Sequence, residues 1–79
     1  MIIKNLKKVD KGNIKAVFSV KFNDELEIYD FKLVKDKQNK LFVALRSIKN
    51  HKDEWESIGF LGTKMAERIL EKVKEEIGE

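Results

Sequence analysis

The sequence predicts an α+β protein, a small antiparallel β-meander of four to five strands with one C-terminal α-helix packed on one face. Apolar and polar residues alternate through residues 14–22, which is the period of a strand with one buried face. Through residues 63–77 the apolar side chains recur at helical spacing, every three or four positions. Residues 1–79 provide a single small domain, with the sheet predicted in residues 1–60 and the helix in residues 63–77.

The first two predicted strands are joined by a turn at residues 10–13. The strand at residues 2–9 carries Lys4, Lys7 and Lys8, which suit the edge of a sheet because charged side chains discourage unwanted pairing. The second strand is the alternating segment at residues 14–22.

The third predicted strand, residues 26–35, changes register halfway. Its first apolar residues stand at even positions, whereas Phe31 and Leu33 stand at odd ones. One extra residue at Tyr29–Asp30 explains this slip, because a β-bulge moves the following side chains to the opposite face. We therefore predict a bulge there and a structural role for Asp30.

The fourth predicted strand is apolar at every position. It comprises Leu41, Phe42, Val43, Ala44 and Leu45. Such a strand is buried on both faces, and one small helix covers only one face of a sheet. We expect a second copy of the chain to cover the other face, which makes these five residues the predicted interface of a homodimer.

The remaining segments connect the sheet to the helix. Residues 46–53 read as an exposed loop, and residues 54–60 as a short final strand. Thr63 is the predicted N-cap of the helix, and Gly78 is predicted to end it.

Composition excludes several classes of protein. The chain has no cysteine, so it forms no disulfide or thiolate metal site. No apolar run approaches the ~18–20 residues of a membrane span, and the first residues lack the pattern of a signal peptide. We expect a cytoplasmic protein that makes no membrane contact.

Charge is divided unevenly along the chain. Residues 1–53 contain 13 Lys and Arg residues against 7 Asp and Glu, whereas residues 54–79 contain 4 against 7. The basic part is compatible with nucleic acid, although charge alone favours an ordinary lysine-rich surface. Only Arg46 and Arg68 are arginines, so the pattern fits phosphate contact better than readout of base edges.

Two adjacent segments resemble the stage V sporulation protein G (SpoVG) family. They are Asp30-Phe31-Lys32-Leu33-Val34 and, after a short polar turn, Leu41-Phe42-Val43-Ala44-Leu45-Arg46-Ser47. The resemblance extends roughly from Ile14 to Ile77, with a proline of the family replaced by Arg46. It implies a small antiparallel sheet with a C-terminal helix, assembled as a homodimer. It also implies a bacterial regulator that binds DNA or RNA and is linked to septation and sporulation.

Six residues are the candidate nucleic-acid contacts. They are Arg46, Lys49, His51 and Lys52 in the loop, and Lys64 and Arg68 in the helix. The alternatives are a solvated basic loop, weakened by Asp53 and Glu54, and ordinary pairing of the helix cations with helix glutamates.

Other chemistry is poorly supported by the sequence. His51 is the only histidine, so no metal site is expected, and no nucleophile with an orienting partner is recognisable. We therefore predict no cofactor and no small-molecule substrate. Trp55, Phe42, Tyr29 and Phe60 are of the type that stacks on bases, although a place in the core or in an interface is the favoured interpretation.

Together these patterns predict a homodimeric regulator, not an enzyme, that contacts nucleic-acid phosphates through lysine and arginine. The alternative is a dimeric protein–protein interaction module that does not bind nucleic acid and whose lysines maintain solubility. One continuous basic groove on the dimer would favour the first hypothesis, and interspersed charges would favour the second.

Overall fold

A computed structural model describes residues 1–78 as six strands followed by one helix. They are β1 (Ile2–Lys11), β2 (Ile14–Asn23), β3 (Leu26–Lys35), β4 (Leu41–Ala44), β5 (Ser47–Lys49), β6 (Trp55–Ser57) and α1 (Thr63–Ile77). Strands β1 to β4 form one antiparallel sheet in chain order, and β5 and β6 form a separate antiparallel hairpin. The predicted α+β meander with a C-terminal helix is confirmed.

The hydrophobic core lies between α1 and one face of the four-stranded sheet. Its buried members are Ala16, Phe18 and Val20 from β2, Phe31 and Leu33 from β3, Val43 from β4, and Ile69 and Val73 from α1. Phe18 and Phe31 are cross-strand partners whose rings stack with 5.6 Å between centroids. The alternating face of β2 and the apolar stripe of α1 therefore meet as their periods predict.

The predicted bulge in β3 lies at Asp30. Phe18 pairs with Phe31 but Val20 pairs with Ile28, so β3 has one more residue than β2 between these two pairs. Asp30 has a φ of 63°, in the left-handed region that aspartate tolerates better than most residues. Ile28 and Phe31 are three residues apart, which would put them on opposite faces of a regular strand, and the bulge keeps both on the core face.

The structure leaves the second face of β4 open. Val43 is buried on the side where α1 packs, whereas Phe42 points to the opposite face and remains 44% exposed. Phe42 lies across from Val34, which is half-buried. One chain therefore covers one face of this strand, and cover of the other face by a second copy stays a prediction.

The helix begins at Thr63, and its N-cap lies one residue earlier than predicted. Gly62 has an extended backbone, with φ −68° and ψ 153°, and its carbonyl accepts a hydrogen bond from the Ala66 N–H. Gly62 is therefore the N-cap, and the prediction of Thr63 is wrong. At the other end Gly78 has a φ of 80° and donates its N–H to the Lys74 carbonyl, which confirms that glycine as the end of the helix.

The prediction that residues 46–53 are all loop is wrong in part. Residues 47–49 form β5, and the short final strand predicted within residues 54–60 pairs with β5 instead of extending the meander. Each strand of this hairpin has three residues, which is too few for an alternating pattern to be recognised.

Candidate nucleic-acid interface

The turn that joins β5 to β6 is built around Asn50. The Asn50 side-chain oxygen accepts the N–H groups of Lys52 at 2.8 Å and Glu54 at 3.1 Å. The Asn50 N–H donates to the Glu54 carbonyl at 2.9 Å, and the Asp53 N–H donates to the Asn50 carbonyl at 3.0 Å. Four hydrogen bonds therefore fix the backbone of the tip that presents His51 and Lys52.

The same turn occurs between β3 and β4. There Asp36 occupies the position equivalent to Asn50, and its carboxylate accepts hydrogen bonds from the N–H groups of Gln38 at 2.8 Å and Lys40 at 2.9 Å. The fourth residue of each turn, Asn39 or Asp53, has a left-handed φ of 65° or 63°. The two turns share these hydrogen bonds but differ in their side chains. Variants of the turn between β3 and β4 can therefore serve as controls for variants of the hairpin tip.

The four predicted loop contacts all lie on or beside this hairpin, and all are exposed. Arg46 Nη1 is 3.5 Å from the Asp30 carboxylate, and Lys49 Nζ is 3.5 Å from the Asp53 carboxylate. Within residues 1–78 neither His51 nor Lys52 has a carboxylate within the 4.0 Å limit of an ion pair. Exposed ion pairs contribute only about 0–1 kcal/mol, so a phosphate can replace either aspartate at small cost.

The two predicted helix contacts lie on the exposed side of α1. Lys64 and Arg68 are one turn apart and follow the connection at residues 58–62. In the part of the chain that is described, neither forms an ion pair with a helix glutamate. The structure thus gathers four of the six predicted residues on one hairpin and leaves the other two on a different element.

The base of the hairpin is anchored through Arg46. The Ile58 N–H donates to the Arg46 carbonyl at 3.0 Å, just beyond the last hydrogen-bonded strand pair. The Arg46 guanidinium meets Asp30, the residue that the β3 bulge turns outward. The main-chain bond of Arg46 therefore closes the base of the hairpin, and its side chain joins the hairpin to β3 of the four-stranded sheet.

The aromatic residues expected in the core or an interface are exposed in this chain. The exposed fraction is 68% for Trp55, 60% for Tyr29, 44% for Phe42 and 93% for Phe60. Their placement in the core is therefore wrong: Trp55 and Phe60 lie on the hairpin and on the connection to α1, outside the helix-covered sheet face, and Phe42 and Tyr29 are exposed on strands of the sheet itself. A place in an interface stays a prediction.

An apolar groove of about 450 Å³ lies where the start of α1 meets the sheet. Phe22, Ile28, Leu45 and Phe60 are among the residues that line it. Elsewhere in residues 1–78, no three His, Cys, Asp or Glu side chains are grouped to hold a metal ion. The described helix is too short and too polar to cross a membrane.

The fold and this surface define a small α+β protein that presents a β-hairpin with exposed lysine and arginine side chains next to a helix-covered sheet. The chain belongs to the SpoVG family, whose model matches residues 1–78. The resemblance seen in the sequence is thereby confirmed, and it reaches further toward the N-terminus than residue 14.

One relative is the protein named "Putative septation protein SpoVG" of Caldanaerobacter subterraneus subsp. tengcongensis. The two sequences are 41% identical over 49 residues, which are 62% of this chain and 53% of the relative. The match thus spans about half the length of that relative. No solved structure gives a significant match to the chain.

Proposed function

We propose that two copies of this chain form a cytoplasmic regulator that binds DNA or RNA and acts in septation and sporulation-type gene control. The family and the name of the relative support the link to septation and sporulation. The observation that carries the nucleic-acid part is the exposed hairpin, where Arg46, Lys49, His51 and Lys52 fall within seven residues on an ordered turn. The proposed activity is binding, without catalysis and without a cofactor.

The chemistry of the hairpin favours phosphate contact. Lysine provides a point charge that attracts phosphate without reading bases, and the hairpin has three lysine or arginine side chains. Lys64 and Arg68 on α1 extend the same function if the bound strand passes over the start of the helix. Binding through these groups releases counterions, so affinity falls steeply with salt.

The proposed dimer uses the outer edge of β4. In the four-stranded sheet β1 and β4 are the two edges, and β1 carries Lys4, Lys7, Lys8 and Lys11 together with bulges that break its ladder. Strand β4 carries no charged side chain and leaves Phe42 exposed. An uncharged, regular edge is the one that pairs with another chain, which favours an interface at residues 41–45.

Fluorescence anisotropy with labelled DNA and RNA, at several salt concentrations, tests the binding site. The variant Arg46→Glu/Lys49→Glu/Lys52→Glu should weaken binding and reduce the slope of log affinity against log salt by about 2 for a single strand.

The matched control reverses three other exposed cations, in the variant Lys11→Glu/Lys37→Glu/Lys40→Glu. Lys11 ends β1, and Lys37 and Lys40 lie in the turn between β3 and β4, all at the opposite end of the sheet from the hairpin, and the net charge changes equally. Equal loss of affinity in both variants would show that binding follows net charge and not the hairpin. Absence of binding at low salt would refute the proposed function.

Light scattering tests the dimer separately. The mass should be twice the 9.3 kDa of one chain, and Phe42→Glu should return it to the mass of one chain because the introduced charge lies within the proposed interface. Phe42 is not part of the core, so the variant should remain folded. A wild-type mass near 9.3 kDa at micromolar concentration would contradict the proposal.

The second candidate function is a protein-interaction module, and the apolar groove at the start of α1 favours it. Phe60 is 93% exposed at the rim of this groove, and an exposed apolar surface of this kind suits a protein partner. Recovery of one stoichiometric protein partner after nuclease treatment, lost in Phe60→Ser, would support this function in place of the first.

A further inference from the structure

The hairpin carries a tryptophan that phosphate contact does not use. Trp55 is the only tryptophan of the chain, and 68% of it is exposed. Exposure of so large an aromatic surface is costly in water, and tryptophan is a residue that binding sites use for contact. The side chain stands on β6, whose backbone pairing with β5 holds it in a defined place.

One face of the hairpin combines this ring with a cation. Lys49 lies directly across from Trp55, and its Nζ is 5.5 Å from the centroid of the indole ring. Ser47 and Ser57 form the next pair on the same face, whereas Ile48 pairs with Glu56 on the other. An aromatic platform, an ammonium group and two hydroxyl-bearing residues therefore share one face, and the acidic residue of β6 lies on the opposite one.

We propose that this face binds an unpaired base of single-stranded DNA or RNA, which stacks on Trp55 while Lys49 and Lys52 contact the neighbouring phosphates. This inference rests on the proposed function and names the class of nucleic acid that it recognises. Every base has a π face that stacks on an aromatic side chain, but in a duplex those faces are covered by neighbouring base pairs. The site therefore selects single strands over duplexes.

Residues 46–57 contain three Lys or Arg and three Asp or Glu residues, so it is the placement of the charges, with Glu56 on the face opposite Trp55, that favours nucleic acid over a protein partner. His51 and Lys52 at the tip are without carboxylate partners in residues 1–78, and the Asp53 carboxylate next to Lys49 is engaged by its ammonium group. Lys49 Nζ is 5.5 Å from the centroid of the Trp55 ring, and Lys52 stands in the turn three residues before Trp55. A stacked base and its flanking phosphates thus match both features of this face.

Intrinsic fluorescence tests the site because Trp55 is the only tryptophan, so emission excited at a wavelength that Tyr29 does not absorb comes from Trp55 alone. Titration with unlabelled single-stranded DNA and RNA dodecamers should quench the emission, and a blunt duplex of the same sequence should not. Comparison of the titrations with single-stranded DNA and single-stranded RNA shows whether deoxyribose or ribose is preferred.

Anisotropy measured on variants gives the second readout. Trp55→Ala should weaken single-strand binding about 5- to 150-fold, the usual loss for one stacked base, and Trp55→Phe should restore most of it. The control Phe60→Ala removes a more exposed aromatic side chain that lies off the hairpin and should bind as the wild type does.

The outcomes separate this inference from the function on which it rests. If single strands bind but neither quench the emission nor respond to Trp55→Ala, phosphate binding stands and base stacking is refuted. If the emission changes with protein concentration and not with oligonucleotide, Trp55 belongs to the contact between copies and the inference is also refuted. If no nucleic acid binds at all, the proposed function itself is refuted.

Discussion

Replacement of Asn50 by alanine should loosen the hairpin tip without unfolding the protein. The Asn50 side chain accepts two backbone N–H bonds, from Lys52 at 2.8 Å and Glu54 at 3.1 Å. A net hydrogen bond contributes about 0.5–1.5 kcal/mol, and water can replace part of it at this exposed site, so the two together stabilise the turn by about 1–2 kcal/mol. The core does not include the hairpin, so the packing of the core should be unchanged.

Native-state hydrogen exchange measures this local effect. In Asn50→Ala the amides of Lys52 and Glu54 should exchange about 5- to 30-fold faster, which corresponds to the loss of about 1–2 kcal/mol. Amides of β2 and β3 that exchange through openings in which the hairpin stays closed should be unchanged. If the hairpin is the binding site, affinity for an oligonucleotide should fall by a similar factor, because the tip must then be ordered on binding.

Two further variants sharpen the result. Asn50→Asp keeps an acceptor oxygen at the same place, so slow exchange should return while the added negative charge still weakens binding of phosphate. Asp36→Ala removes the same two bonds from the equivalent turn between β3 and β4, so its own turn should loosen and affinity should persist. Unchanged exchange at Lys52 and Glu54 in Asn50→Ala, or equal loss of affinity in Asp36→Ala, would refute the reasoning.

Three other substitutions have defined outcomes. Ile69→Ala should lower the free energy of unfolding by about 2–5 kcal/mol in urea titrations, since Ile69 is fully buried; a loss below about 1 kcal/mol would contradict the packing of α1. Gly78→Ala should cost about 1–2 kcal/mol in the same titration, because φ is 80° and no side-chain contact within residues 1–78 would offset the strain; no change would contradict this left-handed cap. Asp30→Gly should change the free energy of unfolding by less than about 1 kcal/mol. It should also raise the affinity for an oligonucleotide at low salt up to about fivefold, because Arg46 loses its ion pair with Asp30. Weaker binding would show instead that the Arg46–Asp30 ion pair orients the site.

The four-stranded sheet could be predicted because each strand is long enough to show its period. In β3 the apolar residues change from even to odd positions at Asp30. This change located the bulge, because the apolar side chains on both sides of Asp30 must reach the same core. The hairpin was missed because three-residue strands show no period, and its pairing is fixed by a turn. The matching positions of Asp36 and Asn50, each four residues before the end of a five-residue polar turn, were the sequence signal that could have revealed it.

The sequence also predicted the grouping of some site residues and not of others. Proximity along the chain was enough to group Arg46, Lys49, His51 and Lys52, because a hairpin keeps neighbours together. Proximity does not relate them to Lys64 and Arg68, which lie on another element. Nor did composition indicate that Trp55 would be exposed, because that depends on β6 leaving the sheet to pair with β5.

The order of the hairpin bears directly on how tightly it can bind. Its base is anchored at Arg46 by the Ile58 N–H and by Asp30, and its tip is closed by Asn50. A surface fixed at both ends loses little conformational entropy on binding, so weak individual contacts add up to useful affinity. Arg46 then has two roles, since a phosphate that displaces Asp30 also releases part of the anchor. Lys52 has no such second role, so of the three basic side chains it is the one whose loss should report phosphate contact alone.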